Sequence, residues 1–139
     1  MTSLRILLAQ LNFMGGALKG NNEKILKIVD IAKLNQIDLL VFPEMALSGY
    51  PIQDLIFDRD FYESELQVLD EIAQYSGEIT LILGGFGVEA DPSHHPQYQN
   101  IAYVVSGGKI SQKIQKRHLP RSEERRVGKE CKSRRAPYP

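Results

Sequence analysis

Three short apolar runs, LRILLAQL (residues 4–11), DLLVF (38–42) and ITLIL (79–83), restrict this chain to few architectures, because amphipathic stretches separate them and turn residues bound them. Runs this short and continuous suit strands buried on both faces of a parallel sheet. None approaches the roughly 18 apolar residues that cross a bilayer, and no charged-then-apolar leader opens the chain. Between the first two runs, NNEKILKIVDIAKLNQ sets Ile25, Ile28, Val29 and Ala32 on one helical face. Asn21 is the expected N-cap there, and Glu23 complements the positive helix start. Residues 60–75 predict a second helix through Leu66, Leu69 and Ala73, stopped by Gly77. Pro43 ends the second strand, and EMALSGYPIQD opens a loop at its C-terminal end. After the turn expected at Gly84 and Gly85, ADPSHHPQYQ reads as a polar loop and IAYVV, SGG, KISQKIQK as a hairpin. The order βαβαβ followed by a strand pair predicts a layered α/β domain with helices on a mixed sheet.

A length of 139 residues suits one such domain. Its zero net charge hides an asymmetry: residues 121–139 hold seven basic and three acidic residues, a +4 tail on a −4 body. A body of that sign offers no electrostatic footprint for nucleic acid, and neither nucleic acid nor membrane is an expected partner. The single cysteine, Cys131, excludes an intrachain disulfide and any multi-cysteine zinc site, so a reducing, cytoplasmic setting is expected.

Common catalytic motifs such as GxSxG, GxxxxGK[ST], GxGxxG and HExxH are absent. His94 and His95 are adjacent, which points their side chains apart on extended backbone; a solvated loop suits them better than a shared metal, and no metal site is expected. Gly84, Gly85 and Gly87 could approach a ligand or merely permit a turn. Two residues stand out. Glu44 directly follows an apolar strand, where ligands gather in α/β sheets, and Lys116 ends the last hairpin strand. Either could equally be an ordinary solvated charge.

The strings VFPEMALSGYP, DLIFDRDF, LILGG, YQNIAYVVSGGKI and KRHLP, in this order, resemble the nitrilase (carbon–nitrogen hydrolase) superfamily over residues 4–120. Within it, LRILLAQLNFMGGALKGNNEKI and SGYPIQDL are most similar to the N-terminal glutaminase domain of glutamine-dependent NAD synthetases. The resemblance implies an α/β fold, a partial four-layer αββα sandwich truncated after the hairpin that carries Lys116. It also implies a Glu-Lys-Cys triad in which a thiolate attacks the side-chain amide of glutamine, giving a thioester and ammonia. Glu44 then matches the general base, Lys116 the cation that stabilises the oxyanion, and Tyr50 a position that shapes the glutamine pocket. A carboxylate suits proton transfer, and a fixed ammonium suits developing negative charge. No cofactor is implied for the amidase part. ATP and Mg, a separate C-terminal synthetase domain and a homo-oligomer are implied for the parent protein only. A stand-alone amidase of the same superfamily and a non-catalytic binding module remain alternatives.

The nucleophile departs from this pattern. Cys131 lies 15 residues past Lys116 in a charged segment with no preceding strand, so it is read as non-catalytic and the chain as written is expected to be inactive. The segment RSEERRVGKEC is similar to the conceptual translation of a common sequencing adapter. Residues 1–120 are accordingly read as the N-terminal part of the hydrolase domain, and 121–139 as a non-native or disordered basic tail.

Overall fold

The alternation of apolar runs and amphipathic stretches becomes one mixed sheet with two helices. A computed structural model describes residues 3–89 and 96–118. Expectations placed on Cys131, on His94 and His95, and on residues 121–139 lie outside the described residues. In chain order the elements are β1 (Ile6–Leu8), α1 (Leu18–Leu34), β2 (Leu39–Val41), a 3-10 turn (Gln53–Phe57), α2 (Arg59–Ser76), β3 (Thr80–Glu89), β4 (Gln97–Ser106) and β5 (Lys109–Gln115). The sheet order is β1-β2-β3-β4-β5, with β1, β2 and β3 parallel and the β3–β4 and β4–β5 pairs antiparallel. The described residues thus form one helical layer packed on one mixed sheet, as the expected layered α/β arrangement requires.

The core lies between sheet and helices. Ile25, Val29 and Ala32 of α1 and Leu69, Ile72 and Ala73 of α2 bury against Leu40, Leu81, Leu83, Tyr103 and Val105. Because strand side chains alternate, the register puts Leu39, Val41, Ile82, Ala102 and Val104 on the opposite face, which no helix covers. Ile6 and Leu8 are therefore 51% and 72% exposed, not buried on both sides as the continuous apolar run predicts. Only the middle residue of β1, Leu7, packs against the core.

Two local expectations change. Helix α1 starts at Leu18, and Asn21 is buried inside it rather than capping it. The Asn21 side chain instead accepts from the Met14 backbone N–H at 3.0 Å and donates to the Met14 and Leu47 carbonyls at 2.9 and 3.0 Å. Three hydrogen bonds to Met14 and Leu47 satisfy this buried amide more fully than a single capping bond would. Glu23 consequently lies beyond the first turn, where the helix dipole is weak. Helix α2 does have a side-chain cap, Asp58, which accepts from the Asp60 and Phe61 amides, and it ends at Gly77 with φ of 60°. Second, Gly84, Gly85 and Gly87 lie inside β3 instead of turning. A Cβ on Gly84 would sit 2.5 Å from the Met45 nitrogen, and one on Gly85 would sit 2.9 Å from a Glu65 carboxylate oxygen. These glycines permit close approach.

Candidate active site

Strand β2 ends at Val41, and Phe42 and Pro43 lead into the loop that carries Glu44. That loop is tied down on several sides. The Leu47 N–H donates to Gly84 at 3.1 Å, Gly16 donates to Ser48 at 2.7 Å, and Asn21 holds the Leu47 carbonyl. Met45, directly after Glu44, has φ of 56°, an unfavourable conformation for a residue with a Cβ. Such strain persists only where surrounding contacts impose it, and it often marks a functional turn. Met45 is held by a small cluster with Ile52 and Phe86.

Lys116 approaches from the other side of β3. It follows β5, and its backbone N–H donates to the Asn100 carbonyl at 2.9 Å, which continues the β4–β5 pairing by one residue. Its Nζ lies 2.8 Å from Glu44 Oε1, joining two residues 72 positions apart. The Asn100 side-chain amide donates to the same oxygen. The Lys116 hydrogen bond is the largest influence holding the Glu44 carboxyl below its usual range; partial burial opposes it, and the Asn100 bond and the Lys116 charge reinforce it. Glu44 is thereby kept ionised, able to accept a proton.

These groups border a cleft of about 280 Å³ whose apolar wall is Phe42, Ile82, Ile101, Ala102 and Ile114. That volume is near the lower end of small-molecule pockets, roughly 300–1,000 Å³. Ile82, Gly84, Ala102 and Ile114 share the uncovered sheet face, so the cleft opens on that side. The structure brings the two singled-out residues, Glu44 and Lys116, into contact. Tyr50 is not in the cleft lining; it is 55% exposed, beyond Gly49 on the same loop. Among the described residues no group of three His, Cys, Asp or Glu could hold a metal ion, and there is no cysteine. No described helix is long and apolar enough to cross a membrane.

Sequence reasoning missed Asn100 and the buried Glu65. Asn100 falls between the expected loop ADPSHHPQYQ and the expected strand IAYVV, whereas β4 already begins at Gln97. Glu65 is 1% exposed, without a hydrogen bond to either carboxylate oxygen, and burial raises its pKa from 4.5 to about 8. The Phe86 backbone amide acts in the opposite direction and is outweighed by burial.

Similarity to known proteins points the same way as this geometry. Over 121 residues, or 86% of its length, the chain is 36% identical to the glutamine-dependent NAD(+) synthetase of Thermotoga maritima, of which it covers 20%. The chain thus spans about a fifth of the length of the curated relatives it matches. In fold it is similar to the glutamine-dependent NAD(+) synthetase of Cytophaga hutchinsonii, with a TM-score of 0.77 at 24% identity over 86% of this chain and 20% of that one. It is also similar to an amidase from Nesterenkonia sp. AN1, with a TM-score of 0.74 at 23% identity over 89% of this chain and 47% of that one. The carbon-nitrogen hydrolase family matches residues 5–137, and with Glu44 and Lys116 paired beside a cleft, this chain belongs to that family.

Proposed function

We propose that this chain carries the proton-transfer half of a glutaminase site in a glutamine-dependent NAD synthetase. The observation that carries the reading is the 2.8 Å contact between Lys116 Nζ and Glu44 Oε1 at the edge of an apolar-walled cleft. Its support in sequence is the 36% identity to the Thermotoga maritima synthetase. Glu44 takes the proton of an attacking thiol, returns it to the departing nitrogen and later activates water. Lys116 stabilises the negative charge that develops on the amide oxygen as the tetrahedral intermediate forms. Attack on the side-chain amide of glutamine expels ammonia and leaves a thioester, which water hydrolyses to glutamate. The ammonia then amidates nicotinic acid adenine dinucleotide at a separate site, where ATP and Mg are used; the amide-hydrolysing groups themselves require no cofactor.

With Cys131 read as non-catalytic from its charged surroundings, the reading places the nucleophile elsewhere in the gene product and expects the 139-residue chain alone to release no ammonia. The test is ammonia release by the full-length product of the gene encoding residues 3–118, with L-glutamine and acetamide compared. Release from glutamine that disappears in Glu44→Gln supports the reading. Equal turnover of acetamide points to a general amidase, and unimpaired turnover in the variant removes Glu44 from the mechanism.

A further inference from the structure

We propose that Asn100 is a positioning residue that fixes which oxygen of Glu44 accepts the proton; the assignment rests on the reading of Glu44 as the base. Asn100 touches both members of the pair through different atoms. Its carbonyl accepts the Lys116 backbone N–H at 2.9 Å, while its side-chain amide donates to Glu44 Oε1. Lys116 Nζ donates to that same Oε1. The two donors converge on one oxygen and leave Oε2 as the one that neither occupies.

The chemistry of an amide suits this task. A side-chain NH₂ has no proton to exchange with a carboxylate near neutral pH, so it orients Glu44 without competing for the transferred proton. A second cation at this place would hold the carboxylate more tightly ionised and make it a poorer base. Placement on β4 matters as well. Asn100 pairs with Phe86 of β3 and lies beside the end of β5, so its backbone is fixed by ladders on both sides. A group held within a fraction of an ångström contributes to catalysis through alignment, and misplacement by about 1 Å can cost roughly 100-fold in rate.

The test begins with the unaltered 139-residue chain, isotopically labelled and followed by NMR across pH. The Asn100 side-chain amide signal should move with the same midpoint as the Glu44 carboxyl carbon. An amide signal that ignores the Glu44 titration overturns the proposal without any variant. In Asn100→Ala the Glu44 midpoint should rise, and in Asn100→Asp it should rise further; an unchanged midpoint in both also overturns it. In the full-length gene product, Asn100→Ala should lower kcat by about 10- to 100-fold with KM nearly constant. A rise in KM alone overturns positioning in favour of a binding role. If Glu44→Gln keeps full activity while the Asn100 signal still follows Glu44, the reading of the base fails and the hydrogen-bond assignment alone survives.

Discussion

Glu44 and Glu65 approach the same strand from opposite sides and meet opposite fates. Gly84 of β3 lies under the Glu44 backbone, where a Cβ would meet the Pro43 oxygen at 2.6 Å, and the next residue, Gly85, lies against Glu65. On one side the carboxylate has an ammonium, an amide and contact with solvent, and it stays charged. On the other it is buried beside Gly85 with no hydrogen-bond partner on either oxygen, and burial favours its protonated form. The lesson is that donors and solvent access decide what a glutamate does; proximity to the strand does not.

Breaking the charged side should have the largest effect. In the full-length gene product, Glu44→Gln should reduce ammonia release by about 100- to 10,000-fold, the usual worth of a general base. Lys116→Met should cost about 100- to 1,000-fold, measured by the same assay, as for a removed oxyanion donor. The buried side predicts a stability effect instead. Between pH 4.5 and about 8 the unfolded chain releases the Glu65 proton while the folded chain keeps it. Folding stability should therefore fall as pH rises through that window, by up to about 1.4 kcal/mol per pH unit. Glu65→Gln should flatten the profile in urea melts and match the parent most closely near pH 4.5. A parent profile that rises from pH 5 to 8 would place the Glu65 carboxylate among donors and dissolve the contrast.

Gly85→Ala should cost about 1–3 kcal/mol in the same melts, because the new methyl presses on Glu65, Tyr103 and Leu47. The smallest effect is on the stability contributed by the open pair. Glu44 and Lys116 side chains are 51% and 34% exposed, so Glu44→Gln should change stability by less than about 1 kcal/mol. What stability the pair does give should be lost as pH falls below the usual carboxylate range, since the Glu44 pKa is lowered by folding.

Much of this arrangement is legible in the sequence, and the exceptions share a physical cause. Continuous apolar runs located β1, β2 and the start of β3, and the spacing of apolar residues located both helices. Glu44 and Lys116 were marked by family resemblance, since a lone charge beside a strand has many ordinary explanations. Asn21 and Glu65 escaped because polar residues interrupt an apolar stripe. Yet each extends its stripe backwards by four: Asn21 precedes Ile25, and Glu65 precedes Leu69, and all four are buried. A polar residue at the N-terminal end of a buried stripe was the available signal. The glycines of β3 misled for the opposite reason, since their role depends on a loop and a helix distant in sequence. The apolar face of β1 and β2 that no helix covers was not legible either, because a strand's own composition does not state what covers it.

Every strand here lies beside its predecessor in sequence, with β5 last at the edge of the sheet. During synthesis Glu44 leaves the ribosome well before either of its partners. Asn100 on β4 and Lys116 just past β5 follow later, the two strands joined at Gly107 and Gly108, both with positive φ suited to a tight turn. Closing that hairpin, an event of about 1–10 μs in isolated peptides, brings Lys116 beside Asn100, and the β3–β4 ladder holds the two donors against Glu44. A chain in which β4 and β5 have not yet paired onto β3 therefore has neither the amide nor the ammonium at Glu44.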